Sequence, residues 1–321
     1  MNRPILGMDV GGTKIAALLV DGDDGVIASG SARTDSRPLG EQVLAAARAV
    51  LDGQVPAGVG IATPGQVDAA AGTVRMAVNV SVPEVPLASI VAGELGVPAF
   101  VEHDTRAAAA WLLSKGDGDS LTYLSVGTGI SAAVAVNGRI LRGVSGLAGE
   151  IGHVVADPHG PRCVCGLAGC LEAVAAGPAV ARQAAAAIDR GERTSLQPGA
   201  GPAEVYRAAA EGDRVATRIA AEVGTYLARA VRGIVLAYGV DRVVVGGGLS
   251  RAGQPFLSPL LQAIEQERSE SALVRHALRQ DGLQLLPPNT EAGAWGAVVI
   301  ARTGLLAASA DAGRRREVDD G

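Results

Sequence analysis

Short apolar runs alternate with amphipathic stretches along this chain, and its two halves begin in the same way. A strand, a glycine turn and a second strand are predicted at 4–9, Gly11–Gly12 and 14–20, and again at 121–126, Gly127–Gly129 and 130–136. Apolar runs of this length bounded by glycine are typical of buried strands. The repetition predicts two related α/β domains with a cleft between them, which is where ligands usually bind.

The pattern between these openings predicts the remaining elements. Apolar runs indicate strands at 26–31, 57–62, 99–102, 139–141, 242–245 and 283–286, and helical periodicity indicates helices at 41–51, 86–95, 104–115, 178–189, 203–211, 213–238 and 292–303, with another after Gly248. Asn137–Gly138 is typical of a two-residue hairpin turn. The polar run 116–120 predicts a domain boundary, with a small domain of 1–115 plus about 296–321 and a large domain of 116–295. We expect a loop at 193–202 and disorder in the last dozen residues.

Composition narrows the class of protein. Of the 321 residues 48% are hydrophobic but only 2% are aromatic, so the cores must consist of Ala, Val, Leu and Ile. The net charge of −5 argues against a nucleic-acid partner held by a basic surface. The first residues lack the pattern of a signal peptide, and the apolar runs fall short of a membrane span. We therefore expect a cytoplasmic protein with no membrane partner.

All three cysteines of the chain lie in one stretch, Gly149–Glu172. Cys163, Cys165 and Cys170 offer three sulfur ligands, and a nearby histidine would complete the tetrahedral set that zinc prefers. Because such a set leaves no open coordination position, we predict a structural site. His153 is the preferred fourth ligand and His159 its competitor, and spacing alone does not decide between them. Three loop cysteines without metal are the less favoured alternative, and an odd count fits a disulfide poorly.

Three glycine-rich turns could bind a nucleotide. In Asp9–Lys14 (DVGGTK), a carboxylate, two glycines, a hydroxyl and an ammonium suit a phosphate with bound Mg²⁺. A plain hairpin turn is an equally favoured interpretation, and a predicted strand rather than a helix follows, unlike in a P-loop. Ser125–Ile130 (SVGTGI) occupies the matching place in the second half. Val243–Ser250 (VVVGGGLS) could face adenine and ribose, or could be a tight strand-to-helix turn.

Several carboxylates could contact a substrate. Asp104 follows a predicted strand and begins a predicted helix, so it is either a helix N-cap or a general base, and the motif alone favours the N-cap. Glu150, His153 and Glu172 flank the cysteines and could together bind vicinal hydroxyl groups. Surface charge is the alternative for the two glutamates. Spacing alone does not single out Asn79.

Together these motifs resemble the ROK (repressor, open reading frame, kinase) family, especially its bacterial glucokinases. The matches are DVGGTK, ATPGQVD (62–68), the Asn79 loop, HDTRAAA, VGTGI, GEIGH, CVCGLAGCLE and VVVGGG, in family order from residue 5 to about 300. The resemblance implies an actin-like, hexokinase-like (ribonuclease H-like) α/β fold of two domains with a cleft between them. It also implies an ATP-dependent kinase acting on the 6-hydroxyl of glucose, usually as a homodimer or higher homo-oligomer.

The resemblance assigns a role to each matching residue. Asp104 becomes the base, and the sugar contacts become Gly65, Asn79, His103, Asp104, Glu150, His153 and Glu172. The zinc ligands become His153, Cys163, Cys165 and Cys170. The ATP phosphates and Mg²⁺ are assigned Asp9, Gly11, Gly12, Thr13, Lys14, Gly127, Thr128 and Gly129, and adenosine is assigned Gly246, Gly247 and Gly248.

Two departures from the family pattern bear on specificity. The family usually has asparagine where this chain has His103, and that asparagine contacts sugar hydroxyls. Ser131, Ala132 and Ala133 replace the glycines that usually follow VGTGI, and they could distort the phosphate turn. A kinase for another hexose or an N-acetylhexosamine, or a sugar-binding ROK protein with weak catalysis, is therefore the alternative. A repressor would need an N-terminal DNA-binding domain, for which a strand beginning near residue 4 leaves no room, and an actin-like filament ATPase would not need the cysteine loop.

Overall fold

The chain divides into two compact units. The computed structural model describes residues 3–76, 84–116, 118–279 and 281–319. Unit 1 comprises Met1–Asp117, Val144–Gly146 and Glu291–Gly321, and unit 2 comprises Gly118–Gly143 and Leu147–Thr290. Each unit has its own sheet and its own core.

Unit 1 is built on a mixed five-stranded sheet in the order β3-β2-β1-β4-β7. The strands of this sheet are β1 (Ile5–Val10), β2 (Lys14–Val20), β3 (Val26–Arg33), β4 (Gly58–Thr63) and β7 (Ala99–His103). The short strands β5 (Gln66–Asp68) and β6 (Thr73–Met76) form a separate two-stranded sheet. The first three strands, all of them predicted, form an antiparallel meander, and β4 and β7 extend it in parallel. Because β4 and β7 run the same way, Thr63 and His103 end them side by side.

Helices cover the sheet of unit 1. They are α1 (Leu39–Leu51), α2 (Leu87–Leu95), α3 (Asp104–Ser114) and α10 (Ala292–Asp319). The side chains of α1 and α2 join the main core through Val43, Leu44, Leu87 and Val91, which are buried with those of β1 and β4. All four helices were predicted, within one or two residues at their starts.

Helix α10 differs from its prediction in length and in its apolar character. The backbone is helical to Asp319, so the expected disorder of the last dozen residues is wrong as far as that residue. Ala292–Ala310 is long and apolar enough to cross a membrane by length and composition, contrary to our expectation for the apolar runs. Ala294, Ala297 and Val298 are fully buried and pack against strands of unit 1, and 39% of this apolar stretch is buried.

Unit 2 repeats the arrangement with a second mixed sheet, in the order β10-β9-β8-β11-β12. Its strands are β8 (Leu121–Val126), β9 (Ile130–Val136), β10 (Arg139–Ile140), β11 (Val243–Gly246) and β12 (Leu283–Leu285). The predicted hairpin turn is confirmed, since Asn137 and Gly138 both have positive φ, at 50° and 71°. β11 lies parallel to both β8 and β12.

Helices of unit 2 enclose a core of small aliphatic side chains. They are α4 (Leu171–Ala175), α5 (Gly177–Asp189), α6 (Pro202–Ala210), α7 (Arg214–Tyr238), α8 (Gln254–Glu270) and α9 (Ala272–Ala277). α7 buries a continuous stripe that includes Ile219, Val223 and Leu227, and its first turn is capped by Asp213. The helix predicted after Gly248 is a 3₁₀ turn, Leu249–Ala252, which precedes α8.

Candidate functional site

The DVGGTK segment forms the turn between β1 and β2. The N–H of Gly11 donates to the carbonyl of Lys14 over 2.8 Å, and Thr34 Oγ1 donates to the Gly11 carbonyl over 2.9 Å. Gly12 and Thr13 lie exposed at the tip of the turn. The chain continues as β2, which excludes a P-loop as expected. The turn is rigidly held at its base and open at its tip.

Asp9, near the end of β1, has a strongly raised pKa. Burial, with the nearby carboxylates of Asp104 and Glu291, raises the pKa of Asp9 to about 7, and Lys14 offsets only part of this. A Cβ added at Gly293 would lie 2.4 Å from the Asp9 carboxyl group, so this glycine lets the carboxylate pack against the start of α10. A cation bound beside Asp9 would relieve this repulsion, which fits a magnesium ion delivered with a nucleotide.

Lys14 makes a contact that the sequence did not reveal. Its Nζ lies 2.8 Å from Glu291 Oε1, and both side chains are partly exposed. The two residues are 277 positions apart. Neither Glu291 nor Gly293 belongs to a recognisable motif, and only the docking of α10 on β1 brings them to Asp9 and Lys14.

Asp104 is the first residue of α3, at the carboxyl end of β7. The N-cap is His103, whose Nδ1 accepts from the Thr105 N–H over 3.3 Å, so the N-cap role that the motif favoured for Asp104 is wrong. The Asp104 side chain keeps an exposed fraction of 36% and accepts from the same Thr105 N–H through Oδ1, over 2.6 Å. A carboxylate at a helix N-terminus is stabilised by the helix dipole.

Of two other predicted sugar contacts, only Gly65 belongs to the described residues. Gly65 follows β4 and has φ 104°, a conformation that glycine adopts without strain. Asn79 lies outside the described residues.

In unit 2, the two predicted nucleotide turns meet. The N–H of Gly127 donates to the Gly129 carbonyl over 2.9 Å, and the N–H of Gly177 donates to the Gly127 carbonyl over 2.8 Å. A Cβ on Gly127 would lie 3.2 Å from the backbone nitrogen of Gly248, and one on Gly247 would lie 2.5 Å from the carbonyl of Val126. Glycine therefore allows the turns to pack backbone to backbone.

The residues after the second turn keep a regular strand. Ser131, Ala132 and Ala133 pair with Ser125, Leu124 and Tyr123 in an unbroken antiparallel register. The side chains of Ala132 and Ala133 are buried, each with an exposed fraction of 1%. The alanines thus extend the strand, and the turn keeps its Gly127–Gly129 hydrogen bond.

A cavity of 510 Å³ opens beside the glycine triplet of unit 2. Its walls come from α6, the 3₁₀ turn and the start of α8. They include Pro202, Tyr206, Arg207, Gly248, Leu249 and Arg251. This mixture of apolar walls and a few polar groups is typical of small-molecule sites.

The cysteine loop brings its predicted ligands together. One ligand atom from each of His153, Cys163, Cys165 and Cys170 lies within 4.8 Å of the others. Sulfurs around one tetrahedral zinc are about 3.8 Å apart, so the donor set fits zinc. His159 is exposed and outside this group, which decides between the two histidines in favour of His153.

The cysteine loop is fixed by its own backbone. Val155 bridges to Cys170, and the N–H of Leu171 donates to the Val154 carbonyl over 2.9 Å. A hydrogen bond from the Leu167 N–H lowers the pKa of the Cys165 thiol, whereas burial and the neighbouring thiols raise that of Cys170 to about 12. A metal ion must displace a proton from each thiol that it binds, so occupancy depends on pH.

The predicted sugar contacts of unit 2 flank this loop. Glu150 immediately precedes a 3₁₀ turn, Ile151–His153, and the His153 N–H donates to the Glu150 carbonyl over 3.1 Å. Glu172, in α4, accepts from the Ile130 N–H over 3.0 Å through Oε2. Both glutamates are half-buried, and Glu172 ties the cysteine loop to the second glycine turn, so surface charge does not describe it.

The family model for the ROK family matches residues 5–303. The chain belongs to the ROK family. A glucokinase from Thermotoga maritima is 34% identical over 277 residues, covering 81% of this chain and 86% of the relative. An N-acetylmannosamine kinase from Shigella boydii is 33% identical, covering 77% and 84%. A solved ROK glucokinase from Streptomyces griseus, in complex with glucose and AMPPNP, is 28% identical with a TM-score of 0.78, covering 94% of this chain and 99% of that one.

These similarities confirm the family and the fold that the motifs indicated. The chain has the mixed α/β, actin-like sugar-kinase fold of ROK proteins, and its two sheets begin with the same strand–turn–strand unit. The names of these relatives state different sugars, so membership of the family does not identify the sugar that this chain binds.

Proposed function

We propose that this ROK protein is an ATP-dependent glucokinase that phosphorylates the 6-hydroxyl of glucose, with Asp104 as general base. Two observations support a sugar kinase. The chain belongs to the ROK family, and it matches relatives named as glucokinases over most of their length. The position of Asp104 carries the assignment of the base. Asp104 is the first residue of α3, at the carboxyl end of β7, and its side chain is partly exposed.

The reaction follows from this placement. Asp104 accepts the hydroxyl proton while the sugar oxygen forms a bond to the γ-phosphorus, and the bond from that phosphorus to the ADP oxygen breaks. Backbone N–H groups of the turns at Gly11–Gly12 and Gly127–Gly129, with the Lys14 ammonium, would bind phosphate oxygens, with Thr13 and Thr128 at the turn tips. Bound Mg²⁺, held near Asp9, would supply further positive charge to the phosphates.

The proposed sugar contacts are Gly65, Asn79, His103, Asp104, Glu150, His153 and Glu172. Carboxylates and imidazole can accept and donate the many hydrogen bonds that vicinal hydroxyls require.

Zinc and adenosine would complete the site. A structural zinc on His153, Cys163, Cys165 and Cys170 would hold the loop that carries the sugar contacts. The adenosine would occupy the cavity beside Gly246–Gly248, where Arg251 and Tyr206 contribute to the wall. We further infer a cytoplasmic homodimer or higher homo-oligomer, and size-exclusion chromatography with light scattering would measure the oligomeric state.

Phosphoryl transfer from Mg-ATP to a panel of hexoses tests the proposal. Glucose should be the best substrate, with glucose 6-phosphate as product, and Asp104→Asn should lower kcat by on the order of 10³-fold while calorimetry shows that glucose still binds. Asp52→Asn, an exposed position with φ 43° that asparagine also tolerates, is the control and should change neither quantity.

Each arm of this test can contradict a different part of the proposal. Faster turnover of N-acetylmannosamine or another hexose would reject glucose and keep the kinase. Loss of glucose binding in Asp104→Asn would reject a purely basic role for Asp104. An absence of transfer to every sugar would reject the kinase activity.

A further inference from the structure

Two segments of unit 1 that are far apart in the sequence bring opposite charges together beside the first glycine turn. Lys14 begins β2 directly after that turn, and its carbonyl accepts from the Gly11 N–H over 2.8 Å. Glu291 immediately precedes α10, and its carbonyl accepts from the Trp295 N–H over 3.0 Å. Because hydrogen bonds hold the backbone at both residues, the freedom to change partners lies in the two side chains.

The side chains of Lys14 and Glu291 form an ion pair. The ammonium nitrogen Nζ lies 2.8 Å from Glu291 Oε1, which is the length of a charge-assisted hydrogen bond. The exposed fraction is 41% for the Lys14 side chain and 38% for the Glu291 side chain, so a ligand can reach both. A pair this exposed to water contributes little to stability, and a more highly charged partner for the ammonium can displace the carboxylate.

The ammonium of Lys14 lies among carboxylates. Burial, followed by the charges of Asp104 and Glu291, raises the pKa of Asp9 to about 7, and the charge of Lys14 acts in the opposite direction. One ammonium is therefore set against three carboxylates in this group. A phosphate that approaches the glycine turn meets an ammonium that is already paired with Glu291, and it must compete for that ammonium.

We propose that Glu291 is a positioning residue whose carboxylate occupies, at Lys14, the place of a nucleotide phosphate oxygen and is displaced when ATP or ADP binds. The inference rests on the proposed function of Lys14 as a phosphate contact and adds a role for Glu291. Without nucleotide, the ion pair keeps the ammonium beside the turn. Because this pair must break when nucleotide binds, Glu291 weakens nucleotide binding, and its return to Lys14 favours the release of ADP.

Calorimetric titration with Mg-ADP tests the proposal. Glu291→Gln keeps the shape of the side chain and removes its charge, which leaves Lys14 available to phosphate. The Kd for Mg-ADP should fall by about 2- to 5-fold, the range expected when an exposed ion pair no longer has to break. Stopped-flow measurements should show ADP release slowed by a similar factor, because such changes in affinity act mostly on the dissociation rate.

Glu94→Gln is the matched control. Glu94 Oε2 lies 2.8 Å from Arg48 Nη2, and both side chains are exposed. This pair also belongs to unit 1, but it joins α1 and α2 instead of the glycine turn and α10. The replacement removes the same charge from the same unit, and the Kd for Mg-ADP should stay unchanged.

A double-mutant cycle shows whether the effect passes through Lys14. Lys14→Met keeps a long apolar side chain and removes the ammonium, and by itself it should weaken Mg-ADP binding. In this background, Glu291→Gln should lose most of its effect on the Kd, because no ammonium is left for carboxylate and phosphate to compete for.

The outcomes separate this inference from the proposed function. Unchanged or weaker Mg-ADP binding in Glu291→Gln would overturn the displacement of Glu291, because the carboxylate would then do no more than hold Lys14 in place. An equal gain in the Lys14→Met background would overturn it as well, since the carboxylate would then act by repelling phosphate directly. A wild-type protein that binds no Mg-ADP would refute the proposed nucleotide site, and the inference with it.

Discussion

Asp9 is buried close to two other carboxylates, so its ionised form destabilises the folded protein. Its pKa is raised to about 7 by burial and by the carboxylates of Asp104 and Glu291. The folded protein therefore binds a proton at Asp9 more tightly than the unfolded chain does, so stability falls as pH rises from about 4 to about 7 and stays low above that. Such strain is common at functional sites, where stability is exchanged for activity.

Asp9→Asn should remove this disadvantage. In the absence of nucleotide, we expect Tm at pH 8 to rise by on the order of 5 °C, and Tm at pH 4 to change little because Asp9 is then protonated in the folded state. Scanning calorimetry at the two pH values gives the difference. Activity should fall at the same time, because the carboxylate near the phosphates and Mg²⁺ is lost.

Asp281→Asn is the matched control for this measurement. Asp281 is exposed, and its hydrogen bonds with Arg279 lower its pKa, which is the opposite direction from Asp9. Its replacement should bring no gain in Tm at pH 8. An Asp9→Asn protein that is no more stable at pH 8 than the wild type would contradict the raised pKa.

At the scale of elements, helix α10 is docked on unit 1 by glycines. A Cβ on Gly60 of β4 would lie 1.8 Å from the Ala297 carbonyl, and one on Gly7 of β1 would lie 2.3 Å from that of Ala294. Only residues without a side chain let the helix backbone approach the strands this closely. This contact also brings Glu291 and Gly293 to Lys14 and Asp9.

Gly60→Ala should therefore destabilise the protein severely. The clash is with backbone atoms, which cannot move aside as a side chain can, so we expect a loss of about 3 kcal/mol or more in the free energy of unfolding, measured by urea denaturation. Gly93→Ala is the control, because no atom lies within 4 Å of its added Cβ and the residue is in α2. That change should stabilise the protein by up to about 1 kcal/mol, and similar results for both variants would refute the packing argument.

The elements that the sequence predicted well are those with a clear periodicity. The long stripe of α7 and the buried runs of β1, β8 and β11 specify their structure locally. The hairpin of β5 and β6 and the short helices α4 and α9 were missed, because three to six residues are too few to show a period. The end of α10 was missed because its charged last residues have the composition of a disordered tail.

At the scale of the whole molecule, only those site residues that lie close together in the sequence could be grouped by prediction. Cys163, Cys165 and Cys170 could be grouped by spacing, but the choice of His153 over His159 needed the fold of the loop. The pairing of Lys14 with Glu291 spans almost the whole chain and left no local signal. The capping of α3 by His103 was equally hidden, since aspartate is the better-known cap.

The cysteine loop should support sugar binding more than nucleotide binding. His153 belongs to the metal set, and Glu172 follows Cys170 by two residues, so the proposed sugar contacts depend on the loop. The glycine turns of unit 2 have hydrogen bonds of their own, from Gly127 to Gly129 and from Gly177 to Gly127. Loss of the metal should therefore leave these turns largely formed.

His153→Ala should abolish stoichiometric zinc, measured by elemental analysis, and lower Tm by on the order of 10 °C. By calorimetry, glucose affinity should fall at least about 10-fold while ADP affinity changes by less than about 3-fold. Removal of zinc from the wild-type protein by a chelator should reproduce the Tm and glucose effects, which distinguishes loss of the metal from loss of the imidazole as a sugar contact.

His159→Ala is the matched control, because His159 is exposed and outside the metal set, and it should keep zinc, Tm and both affinities. Equal losses of glucose and ADP binding would instead mean that the loop supports the glycine turns as well, through the hydrogen bond between Glu172 and Ile130.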